Sequence, residues 1–177
     1  MSVNKFKAGD KFPDITLPLL GGEEVSIGQP MDDNTWQMVV VYRGKHCPLC
    51  SKYLAQLEEI KDKFYEQEVG LIAVSGDPLV KAQAQAKNVG LTIPVAYGLT
   101  IEQMKQLGLY ISTPRSPQET DRPFSEPGIF VINSEGKAQI IDISNAPFSR
   151  PNLEHLASGL GFIRDSKNNY PIRGIFE

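Results

Sequence analysis

The sequence is poor in cysteine, in dense basic clusters and in long apolar runs, and each shortage argues against a class of protein. Its 177 residues carry a net charge of −3, and no basic cluster is denser than residues 43–45, which argues against a nucleic-acid surface. No window approaches the roughly 18 uninterrupted apolar residues of a membrane span. The opening residues, MSVNKFKAGDKF, lack the apolar segment of a secretory signal. We therefore predict a cytoplasmic protein with neither a nucleic-acid nor a membrane partner.

The two cysteines, Cys47 and Cys50, are too few to form a disulfide framework. A chain of this length buries a continuous core without such cross-links, and its 41% hydrophobic and 22% charged residues are typical of globular proteins. There is no internal repeat and no low-complexity segment. We predict a single domain over residues 1–177, with residues 161–177 forming a C-terminal tail that has no clear periodicity.

Hydrophobic spacing in the first half of the chain predicts strands that alternate with helices. The opening, residues 8–27, holds two short apolar stretches around Gly21 and Gly22, which predict a hairpin. A spacing of three and four between apolar residues predicts an amphipathic helix over residues 48–66. Buried strands are predicted where short apolar runs occur, at residues 37–42, 69–75 and 93–97.

Capping residues predict two more helices. Asp77 offers an N-cap and Pro78 the first position of a helix that ends near Asn88. Thr100 and Gln103 have the spacing of a capping box, which predicts a short helix that is closed by Gly108.

The second half of the chain predicts a long loop, a hairpin and a last helix. Residues 112–127 are polar and contain four prolines, so they form the longest loop. Two apolar runs flank the turn at residues 133–136, and residues 151–160 have helical spacing. The order predicts one α/β sandwich, in which a parallel sheet lies between helices and ends in one antiparallel hairpin.

The cysteine pair lies where the first buried strand is followed by the amphipathic helix. A thiol reacts as a thiolate, and the dipole and unpaired N–H groups of a helix N-terminus favour that form at Cys47. Pro48 suits the first helical turn, and Cys50 lies one turn further in, within reach of Cys47. His46 and Arg43 add donors or positive charge nearby. We therefore interpret Cys47 as the attacking thiol and Cys50 as the thiol that resolves the product.

Three other interpretations of the pair remain open. The cysteines would be half of a zinc site if His46 and His155 supplied the other ligands, although these histidines are badly placed for it. A purely structural disulfide would close so short a loop that it would remove little chain entropy. Inert buried thiols are the third alternative. Arg43 either binds a substrate oxygen or pairs with an acidic side chain.

The quoted motifs resemble those of the alkyl hydroperoxide reductase and thiol-specific antioxidant (AhpC/TSA) family, the peroxiredoxin-like branch of the thioredoxin fold. The likeness covers residues 5–160 and includes VVVYRGKHCPLCSKYLAQL, VGLIAVSGDP and PGIFVINSEGKAQII. It implies a three-layer α/β sandwich with a central mixed sheet between helices and an N-terminal hairpin extension. The element formed by Arg43, Gly44, Cys47, Pro48 and Cys50 resembles relatives that carry a thioredoxin-style Cys-x-x-Cys active site.

The sequence departs from the peroxiredoxin pattern at three positions. Peroxiredoxins carry Pro and then Thr or Ser before the reactive cysteine, where this chain has Val40 and Gly44. Their active-site arginine corresponds to Pro127, which also matches the proline that is cis in thioredoxins. The resemblance therefore makes Pro127 a candidate cis-proline beside the cysteines. The guanidinium that activates a peroxide would have to come from Arg43, Arg115 or Arg122.

The resemblance implies an antioxidant thiol oxidoreductase that needs no bound cofactor or metal. Cys47 would reduce a peroxide, Cys50 would close a redox-active disulfide, and a thioredoxin- or glutaredoxin-type protein would restore the dithiol. The first alternative is exchange with protein disulfides. The second is a binding module without turnover that acts through the loop at residues 112–127. A homodimer is compatible with the resemblance.

Overall fold

The computed structural model describes residues 5–177 and places a five-stranded mixed sheet at the centre of the protein. Residues 1–4 lie outside the described residues. They belong to the opening segment that we expect to lack a secretory signal. The strands of the sheet are β3 (Trp36–Val41), β4 (Val69–Val74), β5 (Val95–Ala96), β8 (Gly128–Ile132) and β9 (Ala138–Ile143). They have the order β5-β4-β3-β8-β9, in which β3 is parallel to β4 and antiparallel to β8. The predicted sheet with one terminal antiparallel hairpin is confirmed.

Two short strand pairs lie outside the central sheet. The N-terminal hairpin consists of β1 (Thr16–Pro18) and β2 (Glu24–Ser26), which are antiparallel and turn at the predicted glycines. The second pair, β6 (Ile111–Ser112) and β7 (Phe124–Ser125), closes the base of the loop that the sequence predicts over residues 112–127. The polar residues of that loop carry no signal for these two-residue strands.

Four α-helices cover the two faces of the central sheet. They are α1 (Pro48–Tyr65), α2 (Leu79–Val89), α3 (Ile101–Gln106) and α4 (Leu153–Arg164). The alternating side chains of β3 divide between two apolar clusters: Met38 and Val40 pack in the cluster that contains α1 and α4 residues, whereas Val39 and Val41 pack with α3 and the hairpin. Because β3 is buried on both faces, its residues 38–41 are continuously apolar rather than alternating.

Most helix boundaries agree with the sequence to within two residues, and the notable differences lie in α2 and α4. The capping box of Thr100 and Gln103 at α3 is confirmed. The prediction for the start of α2 was wrong: Pro78 is the N-cap residue, and the carboxylate of Asp77 instead accepts a hydrogen bond from the Lys45 backbone. Helix α4 continues four residues past Leu160 into the expected tail, and a short 3-10 helix (Ser166–Asn168) follows it.

Candidate active site

The cysteines lie at the edge of the sheet where β3 ends, β4 ends and β8 begins. Strands β3 and β4 are parallel, so their carboxyl ends share one edge, and the antiparallel β8 starts at that edge with Gly128 opposite Val41. The turn of residues 42–47 leads from β3 into α1. This topology brings segments that are distant in sequence, around Asp77 and Glu126, to the same turn.

Cys47 is the N-cap residue of α1, as the sequence predicts. Its backbone is extended, and its Sγ accepts a hydrogen bond from the backbone N–H of Cys50 at 3.2 Å. Pro48 then occupies the first helical turn, where no N–H donor is required. The Cys47 sulfur therefore lies at the positive end of an 18-residue helix. Both cysteines are free thiols, with Cys47 2% and Cys50 0% exposed.

Gly44 allows the turn to approach Asp77 closely. Its φ is 138°, and a Cβ at this position would lie 2.7 Å from Oδ2 of Asp77. The Asp77 carboxylate accepts a hydrogen bond from the Lys45 N–H at 2.7 Å. Gln85 of α2 donates to the carbonyl oxygen of Gly44 at 3.1 Å and to Ser51 Oγ at 3.0 Å. Asp77, which precedes α2, and Gln85 of α2 therefore fix the turn that carries Cys47.

Arg43 forms a partly buried ion pair with Glu126. No pattern in the sequence predicted Glu126 as a site residue. Oε1 of Glu126 accepts hydrogen bonds from Nη2 of Arg43 at 3.1 Å and from Nε at 3.3 Å. The hydroxyl of Ser112 donates to the same oxygen at 2.7 Å. The side chains of Arg43 and Glu126 are 18% and 3% exposed. Arg43 is thus paired with an acidic side chain, one of the two roles that the sequence left open for it.

The aromatic ring of Phe124 lies between Arg43 and His46. The guanidinium carbon of Arg43 is 4.6 Å from the ring centroid, and the imidazole of His46 packs edge-on against the ring at 4.4 Å. Burial lowers the pKa of His46. The negative charge of Asp77 opposes this shift, whereas the positive charge of Arg43 strengthens it. His46 is therefore neutral at neutral pH and supplies no positive charge to Cys47.

The pKa values of the two thiols are shifted in opposite directions. Hydrogen bonding from Cys50 lowers the pKa of Cys47 to about 6, and the nearby guanidinium of Arg43 lowers it further, while burial acts in the other direction. The hydrogen bond to Cys47 and burial both raise the pKa of the Cys50 thiol. At neutral pH the pair therefore holds one thiolate at residue 47 and one protonated donor at residue 50.

A second arginine lies on the Cys50 side of the pair. The guanidinium carbon of Arg150 is 4.4 Å from the ring centroid of Tyr53, whose hydroxyl donates to the carbonyl oxygen of Pro151 at 2.7 Å. The positive charge of Arg150 partly opposes the rise in the pKa of Cys50. Arg150 was not predicted from the sequence.

The expectation of a cis-proline at Pro127 is wrong. Every peptide bond within residues 5–177 is trans, and the chain runs from β7 through Glu126 and Pro127 directly into β8. The Glu126 N–H donates to the carbonyl oxygen of Tyr110, and the Pro127 carbonyl accepts from the Ser144 N–H, at 2.8 and 3.0 Å. The backbone is therefore hydrogen-bonded on both sides of the Glu126–Pro127 peptide bond.

The other candidates lie outside this cluster. Arg115 and Arg122 form ion pairs with Glu119 and Asp121 in the loop of residues 113–123. His155 is exposed on α4. Over the described part of the chain, no group of three or more His, Cys, Asp or Glu side chains is arranged to hold a metal ion. Likewise, none of the helices within residues 5–177 is long and apolar enough to span a membrane.

A mixed sheet between helices, with a cysteine pair at the start of the first helix, defines a protein of the peroxiredoxin and thioredoxin-like class. The Redoxin family model matches residues 7–157, and the chain belongs to this family. No curated protein sequence matches the chain significantly.

Solved peroxiredoxin structures share this fold at low sequence identity. A cysteine-to-serine mutant of peroxiredoxin 6 from Arenicola marina superposes with a TM-score of 0.74 at 16% identity, covering 92% of this chain and 75% of its own. Peroxidoxin BcpB from Mycobacterium tuberculosis gives 0.73 at 19% identity, with 90% and 99% covered. AhpC from Enterococcus faecalis gives 0.73 at 16% identity, with 94% and 98% covered. These matches show that the chain has the peroxiredoxin fold over nearly its whole length.

Proposed function

We propose that this protein is a thiol peroxidase in which Cys47 reduces a peroxide and Cys50 resolves the product. The Cys47 thiolate attacks the terminal oxygen of a hydroperoxide, the S–O bond forms as the O–O bond breaks, and the departing oxygen takes up a proton to leave as an alcohol or water. Cys50 then attacks the sulfenic acid, so that a disulfide forms and one water is released. Membership of the Redoxin family supports thiol-dependent peroxide reduction.

The observation that carries this proposal is the position of Cys47 Sγ at the N-terminus of α1, where it accepts a hydrogen bond from the Cys50 N–H. The Cys50 thiol and the positive charge of Arg43 also lower the pKa of Cys47. Arg43 also supplies positive charge near the oxygen that departs during the attack. This role for Arg43 compensates for the absence of the usual peroxiredoxin threonine and arginine.

The burial of Cys47 favours a small substrate. With only 2% of Cys47 exposed, a peroxide reaches its sulfur with less rearrangement than the disulfide of a folded partner protein. This burial supports peroxide reduction above protein disulfide exchange and above a binding module without turnover. A thioredoxin- or glutaredoxin-type protein is the reductant that we expect to regenerate the dithiol, and the reaction requires no bound cofactor or metal.

Stopped-flow oxidation of the reduced protein by hydrogen peroxide, followed by mass spectrometry of residues 47–50, tests the proposal. Wild type should gain a Cys47–Cys50 disulfide, Cys50→Ser should retain a sulfenic acid that can be trapped at Cys47, and Cys47→Ser should not react. Reduction of insulin disulfides without peroxide consumption would favour disulfide exchange. Absence of both reactions would favour the binding module. A homodimer and a cytoplasmic location remain predictions.

A further inference from the structure

The carboxylate of Glu126 has no role in the steps above, yet it is one of the few buried charged groups of the protein. The residue is 2% exposed and lies just before β8, opposite the turn that carries Arg43. One oxygen, Oε1, accepts three hydrogen bonds, two from Arg43 and one from Ser112. The other oxygen, Oε2, is buried without a hydrogen-bond partner among the described residues.

This arrangement has two consequences for the guanidinium of Arg43. Because two of its nitrogens bind a single oxygen, the plane and direction of the group are fixed by Glu126. In addition, the negative charge of Glu126 opposes the positive charge that Arg43 presents to Cys47. Within residues 5–177, Arg43 is the one cation that pairs with the carboxylate, and Ser112 is its one neutral donor.

We propose that Glu126 is a positioning residue of the thiol site, which holds Arg43 beside Cys47 and limits the acidity of the Cys47 thiol through the charge of its carboxylate. The inference rests on the proposed function in that it takes Cys47 as the reactive thiol. A carboxylate at this position also serves the reaction, because the intrinsic nucleophilicity of a thiolate falls as its pKa falls. Glu126 thus keeps the thiolate available at neutral pH without weakening it unnecessarily.

Replacement of the Glu126 carboxylate by a neutral amide should lower the pKa of Cys47. In Glu126→Gln the amide oxygen still accepts hydrogen bonds from Arg43, so the guanidinium stays in place while its charge is no longer opposed. The Cys47 thiolate is then stabilised more strongly. We expect its acid dissociation constant to rise by roughly three- to tenfold, the order of magnitude for removing one charge close to a partly buried site.

The test is the pH dependence of alkylation of reduced protein by iodoacetamide, a neutral reagent, with modification at Cys47 quantified by mass spectrometry. Ser112→Ala is the matched control, because it removes a hydrogen bond to the same carboxylate oxygen but no charge. Glu126→Asp retains the charge, so its midpoint for alkylation of Cys47 should lie closer to that of wild type than to that of Glu126→Gln. Circular dichroism establishes that each variant is folded.

An unchanged or raised Cys47 pKa in Glu126→Gln would overturn the inference, as would an equal shift in Ser112→Ala. If Glu126→Gln does not fold, Arg43→Gln and the double variant Arg43→Gln with Glu126→Gln replace it. The double variant should raise the Cys47 pKa less than Arg43→Gln alone, and equal shifts would contradict the inference. Failure of wild type to consume peroxide would instead remove the proposed function, since the titration does not depend on peroxide.

Discussion

The acidity of Cys47 depends on groups that touch its sulfur or lie just beyond it. Hydrogen bonding from Cys50 has the largest effect, burial opposes it, and the Cys50 backbone N–H and Arg43 make further favourable contributions. In the proposed reaction Cys50 therefore has two roles, because its protonated thiol stabilises the Cys47 thiolate before it resolves the oxidised product. This dual role gives a physical reason for the close spacing of the two cysteines.

Removing the Cys50 thiol should raise the Cys47 pKa. In Cys50→Ala the largest stabilising hydrogen bond is lost, so we expect the alkylation midpoint of Cys47 to rise by about one unit or more from about 6 toward the free-thiol value of about 8.5. Cys50→Ser keeps a hydroxyl donor at nearly the same place and should give a smaller rise. Equal midpoints in wild type and Cys50→Ala would show that Cys50 does not stabilise the thiolate.

Residues near each other in sequence were predictable at this site, whereas partners from other segments were not. The position of Cys47 and Cys50 just after an apolar run and at the start of helical spacing is enough to indicate a helix N-cap. Glu126 lies 83 residues from Arg43, and their contact follows from the register that pairs Val41 with Gly128. No local pattern specifies that register, so the ion pair was inaccessible from the sequence.

At the scale of elements, the turn between β3 and α1 is constrained by α2 as well as by its own residues. Asp77 was expected to cap α2, because a short acidic side chain before a proline is typical of a helix start. Its carboxylate binds the turn instead, at the Lys45 N–H. Propensity alone cannot distinguish these two uses of an aspartate, since both satisfy a backbone donor near a helix N-terminus.

Gly44→Ala should damage this turn more than a comparable substitution elsewhere. An alanine Cβ would meet the Asp77 carboxylate at 2.7 Å in a backbone conformation with φ 138°. We expect a loss of roughly 2–4 kcal/mol in the free energy of unfolding and slower oxidation of Cys47 by peroxide. Urea unfolding and stopped-flow oxidation measure the two effects.

Gly90→Ala is the matched control for this substitution. Gly90 also has a positive φ, 79°, but a Cβ there would meet no atom within 4 Å. It should cost about 1 kcal/mol from backbone strain alone and leave the oxidation rate unchanged. Equal losses in the two variants would mean that close approach to Asp77 does not matter.

At the scale of the whole molecule, the three layers bring the turn, the start of β8 and α2 to one edge of the sheet. The sequence predicted the layers because buried strands and amphipathic helices have different periodicities. It did not predict the two-residue strands β6 and β7, which bring Ser112 and Phe124 to the site. Such short pairs depend on the surrounding fold rather than on their own sequence.

The depressed pKa of Cys47 should make folding stability of the reduced protein depend on pH. In the unfolded chain this thiol has a pKa of about 8.5, against about 6 in the folded state. Because the folded value is the lower one, the contribution is fully present above about pH 8.5 and is lost as the pH falls through about 6. At pH 7 it amounts to about 1 kcal/mol.

The comparison of reduced wild type with Cys47→Ser isolates this contribution, because serine retains a cap acceptor but does not titrate in this range. Urea unfolding in the presence of a reductant should give a stability difference, wild type minus variant, that grows by about 1–2 kcal/mol between about pH 5 and 7.5. The raised pKa of Cys50 destabilises the folded state only above about pH 8.5, outside this window. A difference that stays flat with pH would show that the folded protein does not stabilise the thiolate. A rising difference would mean that folding favours the reduced pair, which would make the proposed Cys47–Cys50 disulfide easier to reduce. A disulfide of that kind would suit the proposed reaction, in which a partner thiol regenerates the dithiol.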